Sequence, residues 1–281
     1  MPRTLKSLKT PLRYPGGKSK AVPKLLQYLP NLFQVKEFRE PFLGGGSVAL
    51  EITKRYPHID IWVNDLYEPL YNFWCELQHN GQELQDALLG IKSIYCNPDA
   101  ARCLFISSKE QINDSDLSNF DRAVAFYIVN KCSFSGLTES SSFSAQASES
   151  NFSTNGIERL TEYSEIIERW KITNLSYESM LCDDKNTFIY LDPPYDIKDN
   201  LYGKKGEMHK RFDHDKFAHD CDQHTCPMLI SYNSDQIIRD RFYEWTVGEF
   251  AHTYTMRSVG CYNIDQATRK ELVLTNYEMR S

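Results

Sequence analysis

The stretch Asp192-Pro193-Pro194-Tyr195 combines residue types that could act together on a flat base, and it follows the mostly apolar run 187–191. That run predicts a short buried strand, which the prolines end because proline lacks a backbone N–H. Ligands of open α/β sheets bind just outside the carboxyl ends of strands. There, Asp192 and the Pro193 carbonyl could accept the hydrogens of an exocyclic amine, and Tyr195 could stack on the base. The alternative is an ordinary turn, with Asp192 as a cap and Tyr195 packed.

A glycine-rich turn provides a second candidate site. The sequence Glu40-Pro41-Phe42-Leu43-Gly44-Gly45-Gly46-Ser47 lies between a strand predicted over 37–42 and a helix predicted to start near Ser47. Such a turn cradles a nucleotide, since glycine permits close approach of the backbone. Residues 59–63 alternate as a second strand that leads to Asp65. An acid at that position is well placed to hold ribose hydroxyls.

The glycine turn alone leaves the cofactor open. Gly44, Gly46 and Ala49 fit the dinucleotide fingerprint, with Asp65 at the expected distance, so an NAD-dependent oxidoreductase is one alternative. The nucleoside of S-adenosylmethionine requires the same turn and the same acid. In a third interpretation, Asp65 only starts the next helix.

The N-terminal segment Arg13-Tyr14-Pro15-Gly16-Gly17-Lys18 is a further candidate. Its Pro-Gly-Gly turn precedes a helix predicted over 21–28. Consecutive glycines let the backbone approach a ligand, and N–H groups at a helix start favour an anion. A plain turn before a surface helix is the alternative.

Composition places the chain among soluble globular proteins. It has 281 residues, 41% hydrophobic and 25% charged, and a mean hydropathy of −0.52. The sequence contains no run near the roughly 18 apolar residues of a membrane span and no apolar signal-peptide core. Eight scattered cysteines fit a reducing cytosol, so we expect a cytoplasmic protein. The spacing of Cys221, Cys226, His219 and His224 does not match a zinc knuckle, and we predict no metal.

Positive charge is concentrated locally although the net charge is −6. A first basic segment precedes Glu37: it includes Arg13 and Lys18 and contains no Asp or Glu. A second basic cluster follows the proline turn and is interleaved with aromatic and histidine residues: Lys204, Lys205, Lys210, Arg211 and Lys216. Local patches rather than total charge meet phosphates, so these segments favour nucleic-acid binding, although most charge runs are only solvated faces.

Alternation of strands and helices predicts the α/β class, with a doubly wound, mainly parallel sheet. Further strands are predicted over 171–175, 187–191, 227–231, 247–254 and 271–275, the last two antiparallel. We predict a catalytic domain from residues 1–77 and 158–281. Residues 78–157 are expected to form a mainly helical insert. Its serine-rich run, 140–154, predicts a mobile polar loop.

Taken in this order, the motifs resemble those of the Dam-type DNA adenine-N6 methyltransferases, the α-group of the D12 class. Residues 13–18 and 40–47 resemble the family's S-adenosylmethionine motifs, 64–67 its ribose-binding motif and 192–195 its catalytic motif. Residues 130–137 resemble the start of its DNA-contacting segment, and 231–233 a late motif near the target-base pocket. The resemblance implies a Rossmann-like sheet with helices on both faces and an inserted DNA-recognition subdomain.

The resemblance also implies roles for individual residues. Cofactor binding falls to Tyr14, Gly17, Lys18, Glu40, Phe42, Gly44, Gly46, Ser47, Asp65, Tyr177 and Asp192, and catalysis to Asp192, Pro193, Pro194 and Tyr195. DNA binding is expected from Asn130 and Lys131 and, within the second basic cluster, from Lys204, Lys205, Lys210 and Arg211. The chain departs from the family at Ser176, where relatives commonly carry Asp, and over 202–209, which resembles a restriction-modification or phage relative.

The implied function is site-specific methyl transfer from S-adenosylmethionine to N6 of adenine in double-stranded DNA, after base flipping. We expect duplex DNA as partner, a cognate restriction endonuclease as a candidate partner, a monomer, and a prokaryotic or phage origin. Three rivals remain: an oxidoreductase, a methyltransferase for RNA or protein glutamine, and a non-catalytic DNA-binding regulator.

Overall fold

The computed structural model describes residues 9–14, 16–95, 97–134, 136, 141–195, 212–251 and 270–279. Its seven strands form one sheet. They are β1 (Glu37–Glu40), β2 (Asp60–Asn64), β3 (Lys171–Thr173), β4 (Thr187–Leu191), β5 (Met228–Asn233), β6 (Thr246–Ala251) and β7 (Lys270–Thr275). Each lies where the sequence predicts a strand, and β4 has the predicted bounds.

The strand order is β3-β2-β1-β4-β5-β7-β6. Strands β1 to β5 are parallel, and β7 pairs antiparallel with both β5 and β6. The predicted α/β class, the mainly parallel sheet and the antiparallel final pair are therefore confirmed. The order reverses between β1 and β4, and in doubly wound sheets such a switch point opens the crevice that binds ligands.

The described helices are distributed along the chain between the strands. They are α1 (Val22–Leu25), α2 (Ser47–Arg55), α3 (Glu68–His79), α4 (Gly81–Ile94), α5 (Pro98–Gln111), α6 (Asn119–Cys132), α7 (Ala145–Ser150), α8 (Thr154–Glu158), α9 (Leu160–Ile167), α10 (His214–Asp222) and α11 (Gln236–Arg241). Short 3-10 helices span Lys18–Lys20, Leu32–Gln34 and Tyr177–Met180. The predicted helix over 21–28 is thus reduced to α1.

Helices cover both faces of the sheet, as predicted. On one face Phe38 and Phe188 belong to a core that continues into the helices between β2 and β3, including Leu84 of α4. On the other face Ile189 packs in a second core with Phe217 of α10. Adjacent residues of β4 therefore serve opposite faces, as the two-residue repeat of a strand requires.

The prediction of a mobile serine-rich loop is wrong for the part that the structure describes. Ser144 accepts a hydrogen bond from the N–H of Ala147 and begins α7. Phe152 is fully buried and anchors the following segment. Serine at a helix N-cap stabilises structure, because its hydroxyl satisfies an otherwise unpaired N–H. Residues 137–140, which include the first residue of the serine-rich run, lie outside the described residues.

Helices α4 to α7, together with most of α8, fill residues 78–157. Leu84 and Phe105 of this region share one apolar core with Phe38 of the sheet. The division into a catalytic domain and a recognition insert stays a prediction. None of the helices in the described part of the chain is both long and apolar enough to cross a bilayer.

Candidate active site

The site lies at the carboxyl ends of β1 and β4, at the switch point of the sheet. Asp192 directly follows β4 and is joined to Lys18 from the N-terminal segment. Lys18 Nζ donates to both carboxylate oxygens of Asp192, at 2.7 Å and 2.8 Å. The Lys18 side chain is 3% exposed and that of Asp192 is 20% exposed, so the ion pair is shielded while the acid stays partly accessible.

Tyr195 and Glu271 complete this charged group, which we call the catalytic cluster: Lys18, Asp192, Tyr195 and Glu271. Lys18 Nζ also donates to the Tyr195 hydroxyl at 2.6 Å, and that hydroxyl donates to Glu271 Oε1 at 2.6 Å. Lys18 lies 3.3 Å from Glu271 Oε1. One ammonium therefore serves two carboxylates and a phenol.

Strand β5 supports Asp192 from the side. The Ser231 hydroxyl donates to Asp192 Oδ1 at 3.0 Å and lies 2.8 Å from the hydroxyl of Tyr190, which is on β4. Asp192 Oδ1 thus accepts from both Lys18 and Ser231. Oδ2 accepts from Lys18 alone among these contacts, which leaves it better placed to accept a further donor.

Charges within the catalytic cluster are strongly coupled. Burial alone would lower the pKa of Lys18, but the carboxylates of Asp192 and Glu271 outweigh it and raise that pKa. Burial raises the pKa of Asp192, Lys18 opposes the rise, and Glu271 adds to it. The ionised state of Asp192 therefore depends on the lysine beside it.

The glycine turn forms a cradle beside this cluster, and its acid is held by backbone groups. Asp65 accepts from the N–H of Gly44 at 2.9 Å and from that of Tyr67 at 3.0 Å. Burial raises the pKa of Asp65 to about 6, although these two N–H groups lower it in part. Trp74 Nε1 donates to the Gly44 carbonyl at 3.1 Å.

Positive φ angles explain two of the glycines. Gly44 has φ +50 and Gly46 has φ +69, a region that residues with a side chain rarely adopt. A Cβ at Gly44 would lie 2.8 Å from the Tyr14 ring, and one at Gly46 would lie 2.9 Å from Trp74. The turn is therefore packed between two aromatic rings that only glycine admits.

The remaining predicted cofactor residues near the cradle also adjoin it. Glu40, at the end of β1, accepts from the N–H of Ala49 at 2.8 Å, and burial raises its pKa well above the ordinary value. The hydroxyls of Ser19 and Ser47 lie 3.1 Å apart and join the N-terminal segment to α2. The N–H of Gly17 donates to the Tyr14 carbonyl.

Phe42 and Tyr177 lie together in the second core, with ring centroids 5.7 Å apart. The Tyr177 hydroxyl donates to Asp220 Oδ2 at 2.7 Å. Ser176, the departure from the family pattern, donates to Glu178. Tyr177 is thus oriented through α10, and this support could not be read from its own motif.

Asn130 and Lys131 lie at the end of α6, against the N-terminal segment. Asn130 accepts from the N–H of Arg13 at 2.9 Å and donates to the carbonyls of Arg13 and Gly136. Lys131 is 8% exposed, with Nζ 5.2 Å from the centre of the Tyr127 ring. Burial, and secondarily the charge of Arg13, lowers the pKa of Lys131 to about 7.

The predicted DNA-binding residues Lys204, Lys205, Lys210 and Arg211 lie outside the described residues, as does the departure over 202–209. Within the described residues, no three His, Cys, Asp or Glu side chains are grouped to hold a metal ion. The predicted roles of the site residues stay predictions, while their positions are as given above.

Sequence reasoning missed Glu271 as a site residue, and it did not assign Ser231 to Asp192. A signal for Glu271 was present in the sequence, since this acid directly precedes the apolar run Leu272-Val273-Leu274 within a predicted strand, and the structure shows it fully buried. A carboxylate in a buried strand needs a partner. The partner itself was out of reach, because Lys18 stands at the opposite end of the chain.

Comparison with known proteins decides the family. Residues 14–256 match the model of the D12 class N6 adenine-specific DNA methyltransferases. The chain belongs to this family. The match covers most of the chain, including the cradle, Asp192 and Tyr195, and it confirms the resemblance described above.

Individual relatives agree with this family. The chain is 22% identical over 198 residues to the type II methyltransferase M.MjaIII of Methanocaldococcus jannaschii, covering 66% of this chain and 68% of the relative. It is 27% identical over 189 residues to a DNA adenine methylase of Vibrio cholerae, covering 66% and 64%. It is 20% identical to the type II methyltransferase M1.LlaDCHI of Lactococcus lactis subsp. cremoris, covering 94% of each.

Membership of this methyltransferase family removes the oxidoreductase alternative, and the site explains why. A dinucleotide's pyrophosphate needs free N–H groups and positive charge at the glycine turn. Here Gly44 N–H is bonded to Asp65, and the acids Glu40 and Asp192 stand nearby. Such a site disfavours a pyrophosphate.

Proposed function

We propose that this chain transfers a methyl group from S-adenosylmethionine to N6 of a flipped adenine, at a short specific sequence in double-stranded DNA. One observation carries the proposal. Asp192 and Tyr195 lie at the switch point of the sheet, next to the cradle of Gly44 and Asp65, in a member of an adenine-specific DNA methyltransferase family.

The residues at the switch point fit this cofactor electrostatically. S-adenosylmethionine supplies an electrophilic methyl group on a sulfonium and also carries an ammonium. Glu40, Asp65, Asp192 and Glu271 are all 20% exposed or less, and Lys18 is the ammonium that pairs with two of them. Asp65 would hold the ribose hydroxyls, and the acids around Asp192 would favour the cationic end.

Asp192 and Tyr195 would position the target base. Asp192 Oδ2 and the Pro193 carbonyl would accept the two amine hydrogens, which directs the nitrogen lone pair away from them and towards the methyl carbon. The Tyr195 ring would stack on the base. Rate enhancement then comes from positioning and from fixed charge, since positive charge develops on the nitrogen as the new bond forms.

The proton leaves only after the methyl group has arrived. As the S–CH3 bond breaks, its electron pair stays on the sulfur of the departing S-adenosylhomocysteine, and the methylated nitrogen becomes cationic. This cation is far more acidic than the neutral amine, so no strong base is required. Asp192, already ionised beside Lys18, is within reach of that proton and can pass it to solvent. The catalytic cluster thus orients the amine first and accepts its proton last.

The N-terminal segment and the end of α6 would contribute to DNA binding. Asn130 bonds to the backbone of Arg13 and precedes Lys131 on α6, and Lys131 has no carboxylate partner among the described residues. A phosphodiester would supply the missing negative charge. We assign target recognition to residues 78–157 and further phosphate contacts to Lys204, Lys205, Lys210 and Arg211.

The biological setting follows from the relatives. Two are named type II methyltransferases, which favours a restriction-modification role and a cognate endonuclease for this chain as well. A monomer in the cytoplasm of a prokaryotic or phage-infected cell fits a site built within one chain.

The test is label transfer from [methyl-³H]S-adenosylmethionine to unmethylated genomic DNA, with RNA and bulk protein as competing acceptors. Genomic DNA is used because it contains every short recognition sequence. We expect label in duplex DNA alone, and its loss in Asp192→Ala with cofactor binding weakened but still measurable. Asp183→Ala is the control, because Asp183 is an exposed acid that pairs with His224 and precedes β4, at the opposite end of the strand from Asp192. Label in RNA or protein, or a near-normal rate in Asp192→Ala, would contradict the proposal.

A further inference from the structure

We propose that Glu271 is a positioning residue for methyl transfer: it fixes Lys18 and the Tyr195 hydroxyl and keeps the catalytic cluster negatively charged towards the target amine. The proposal rests on the proposed function. It concerns strand β7, which lies outside the catalytic motif 192–195 in the sequence.

The position of Glu271 in the sheet is unusual for a charged residue. It lies on β7, its Cα pairs with that of Asn233 on β5, and its side chain is 0% exposed. Residues directly paired across strands project to the same face of a sheet. Glu271 therefore shares its face with Asn233 and with Ser231, two residues earlier on β5, whose hydroxyl donates to Asp192.

Two contacts connect Glu271 to Tyr195 of the catalytic motif and to Lys18. Glu271 Oε1 accepts from the Tyr195 hydroxyl at 2.6 Å and lies 3.3 Å from Lys18 Nζ. Because Lys18 also donates to the same hydroxyl, the Tyr195 oxygen is held from two sides. A ring fixed at its hydroxyl can keep its face turned to a flipped base.

Charge balance gives Glu271 a second effect. With Lys18, Asp192 and Glu271 all ionised, the three side chains carry a net charge of about −1. If Glu271 were neutral, Lys18 would form an ion pair with the Asp192 carboxylate alone, and that pair would present no net charge to the amine. Glu271 thus keeps Asp192 an effective acceptor while positive charge builds on the nitrogen.

The variant Glu271→Gln tests this role, because it preserves shape and removes the charge. We expect kcat for DNA methylation to fall by about 10- to 100-fold, with the KM for the cofactor changed by less than about threefold. Glu271→Asp, which keeps the charge on a shorter side chain, should recover part of the rate. Glu51→Gln is the matched control, since Glu51 is also a buried, ion-paired glutamate but contacts Arg55.

The pH profile distinguishes positioning from a merely structural role. Glu271 raises the pKa of Asp192, so its removal should move the acid limb of the kcat profile to lower pH even as the plateau falls. Glu271→Gln and Tyr195→Phe should also be non-additive, because the first weakens and the second removes the same hydrogen bond between Tyr195 and Glu271. An unchanged kcat, an unshifted acid limb or fully additive losses would overturn the proposal.

A measurement without cofactor or DNA separates this inference from the proposed function. Lysine side-chain NMR, with Lys18 assigned through Lys18→Arg, should show a lower pKa for Lys18 in Glu271→Gln than in wild type or Glu51→Gln. An unchanged Lys18 pKa would overturn the inference even in an active enzyme. If the wild type methylates no DNA, the proposed function fails while the charge coupling is still measured. Failure of both Glu271 variants to fold would make Glu271 structural and overturn the positioning role.

Discussion

The cradle and the catalytic cluster hold their acids in different ways. In the cradle, Asp65 is fixed by the N–H groups of Gly44 and Tyr67, and Gly44 is 21 residues away along the chain. In the catalytic cluster, Asp192 is held by a lysine 174 residues away, and Tyr195 by a glutamate 76 residues away. The first site is local and made of backbone, while the second is assembled from three distant segments and made of side chains.

This difference separates two tasks. Backbone donors cannot change their charge, so the hydrogen bonds that hold Asp65 do not depend on the ionisation of another side chain. The catalytic cluster depends on one ammonium shared by two carboxylates, so its acceptor strength responds to every charge in it. We therefore expect substitutions in the cradle to affect mainly cofactor affinity, and those in the cluster mainly the rate of transfer and its pH dependence.

Lys18→Met should have the largest effect of these substitutions. Lys18 opposes the rise that burial causes in the pKa of Asp192, so its loss should raise that pKa further. Asp192 is then ionised only at higher pH. We expect kcat at neutral pH to fall by more than about 100-fold and the acid limb of its profile to move up, opposite to the shift in Glu271→Gln. A pH–rate profile of tritium transfer is the measurement.

Lys18→Arg serves as the control for that variant, since it keeps the charge in a different shape. It should leave the acid limb near its wild-type position. If the acid limb of the kcat profile stays in place in Lys18→Met, the ionisation of Asp192 does not depend on Lys18. The proposed difference between the cradle and the catalytic cluster would then be wrong.

Asp65→Asn should have an intermediate effect, confined to cofactor binding. Loss of the carboxylate weakens acceptance from ribose hydroxyls, and we expect affinity for S-adenosylmethionine to fall by about 10- to 100-fold, the cost of a charged hydrogen bond. In the wild type, Asp65 has a pKa of about 6, so affinity should decline as pH falls through 6 and the carboxylate takes up a proton. Calorimetric titration at several pH values tests both statements.

The Asn variant should lose that pH dependence, which provides an internal control. A large fall in kcat at saturating cofactor, with affinity for S-adenosylmethionine unchanged, would contradict the expected difference between cradle and cluster.

Lys131→Gln should have the smallest effect, because Lys131 adjoins the N-terminal segment but lies outside both regions. With a pKa of about 7, Lys131 is charged below neutral pH and increasingly neutral above it. A bound phosphate stabilises the charged form, so DNA affinity in the wild type should fall, by up to about 10-fold, as pH rises above 7. Fluorescence anisotropy with labelled duplex DNA measures this.

At every pH, Lys131→Gln should bind DNA with the weaker affinity that the wild type shows at high pH. The affinity of this variant should also depend less on salt concentration. Lys109→Gln, on α5 with its ammonium bonded to the Ser141 carbonyl, is the comparison variant. An identical pH dependence in wild type and Lys131→Gln would assign the effect to another group.

The same contrast explains what could be predicted from the sequence. The cradle was predictable because its parts are near in sequence: a strand, a glycine turn and an acid at the next strand end. Strand β4 and Asp192 were predictable because an apolar run indicates the strand and two prolines mark its carboxyl end. Each of these features depends on local chemistry.

Contacts between distant segments were not predictable in the same way. Strand order brings β7 beside β5, and only then does Glu271 reach Lys18 and Tyr195. The serine-rich run was misread because composition indicates a loop, whereas Ser144 begins a helix through its hydroxyl. The bond from Tyr177 to Asp220 likewise depends on how α10 packs.

The most direct test of the central claim is nucleoside analysis by mass spectrometry of unmethylated duplex DNA incubated with the protein and deuterated-methyl S-adenosylmethionine. We predict labelled N6-methyldeoxyadenosine at a defined sequence, present with the wild type and absent with Asp192→Ala. Labelled methyl on cytosine, or no labelled nucleoside although the cofactor binds, would contradict the account.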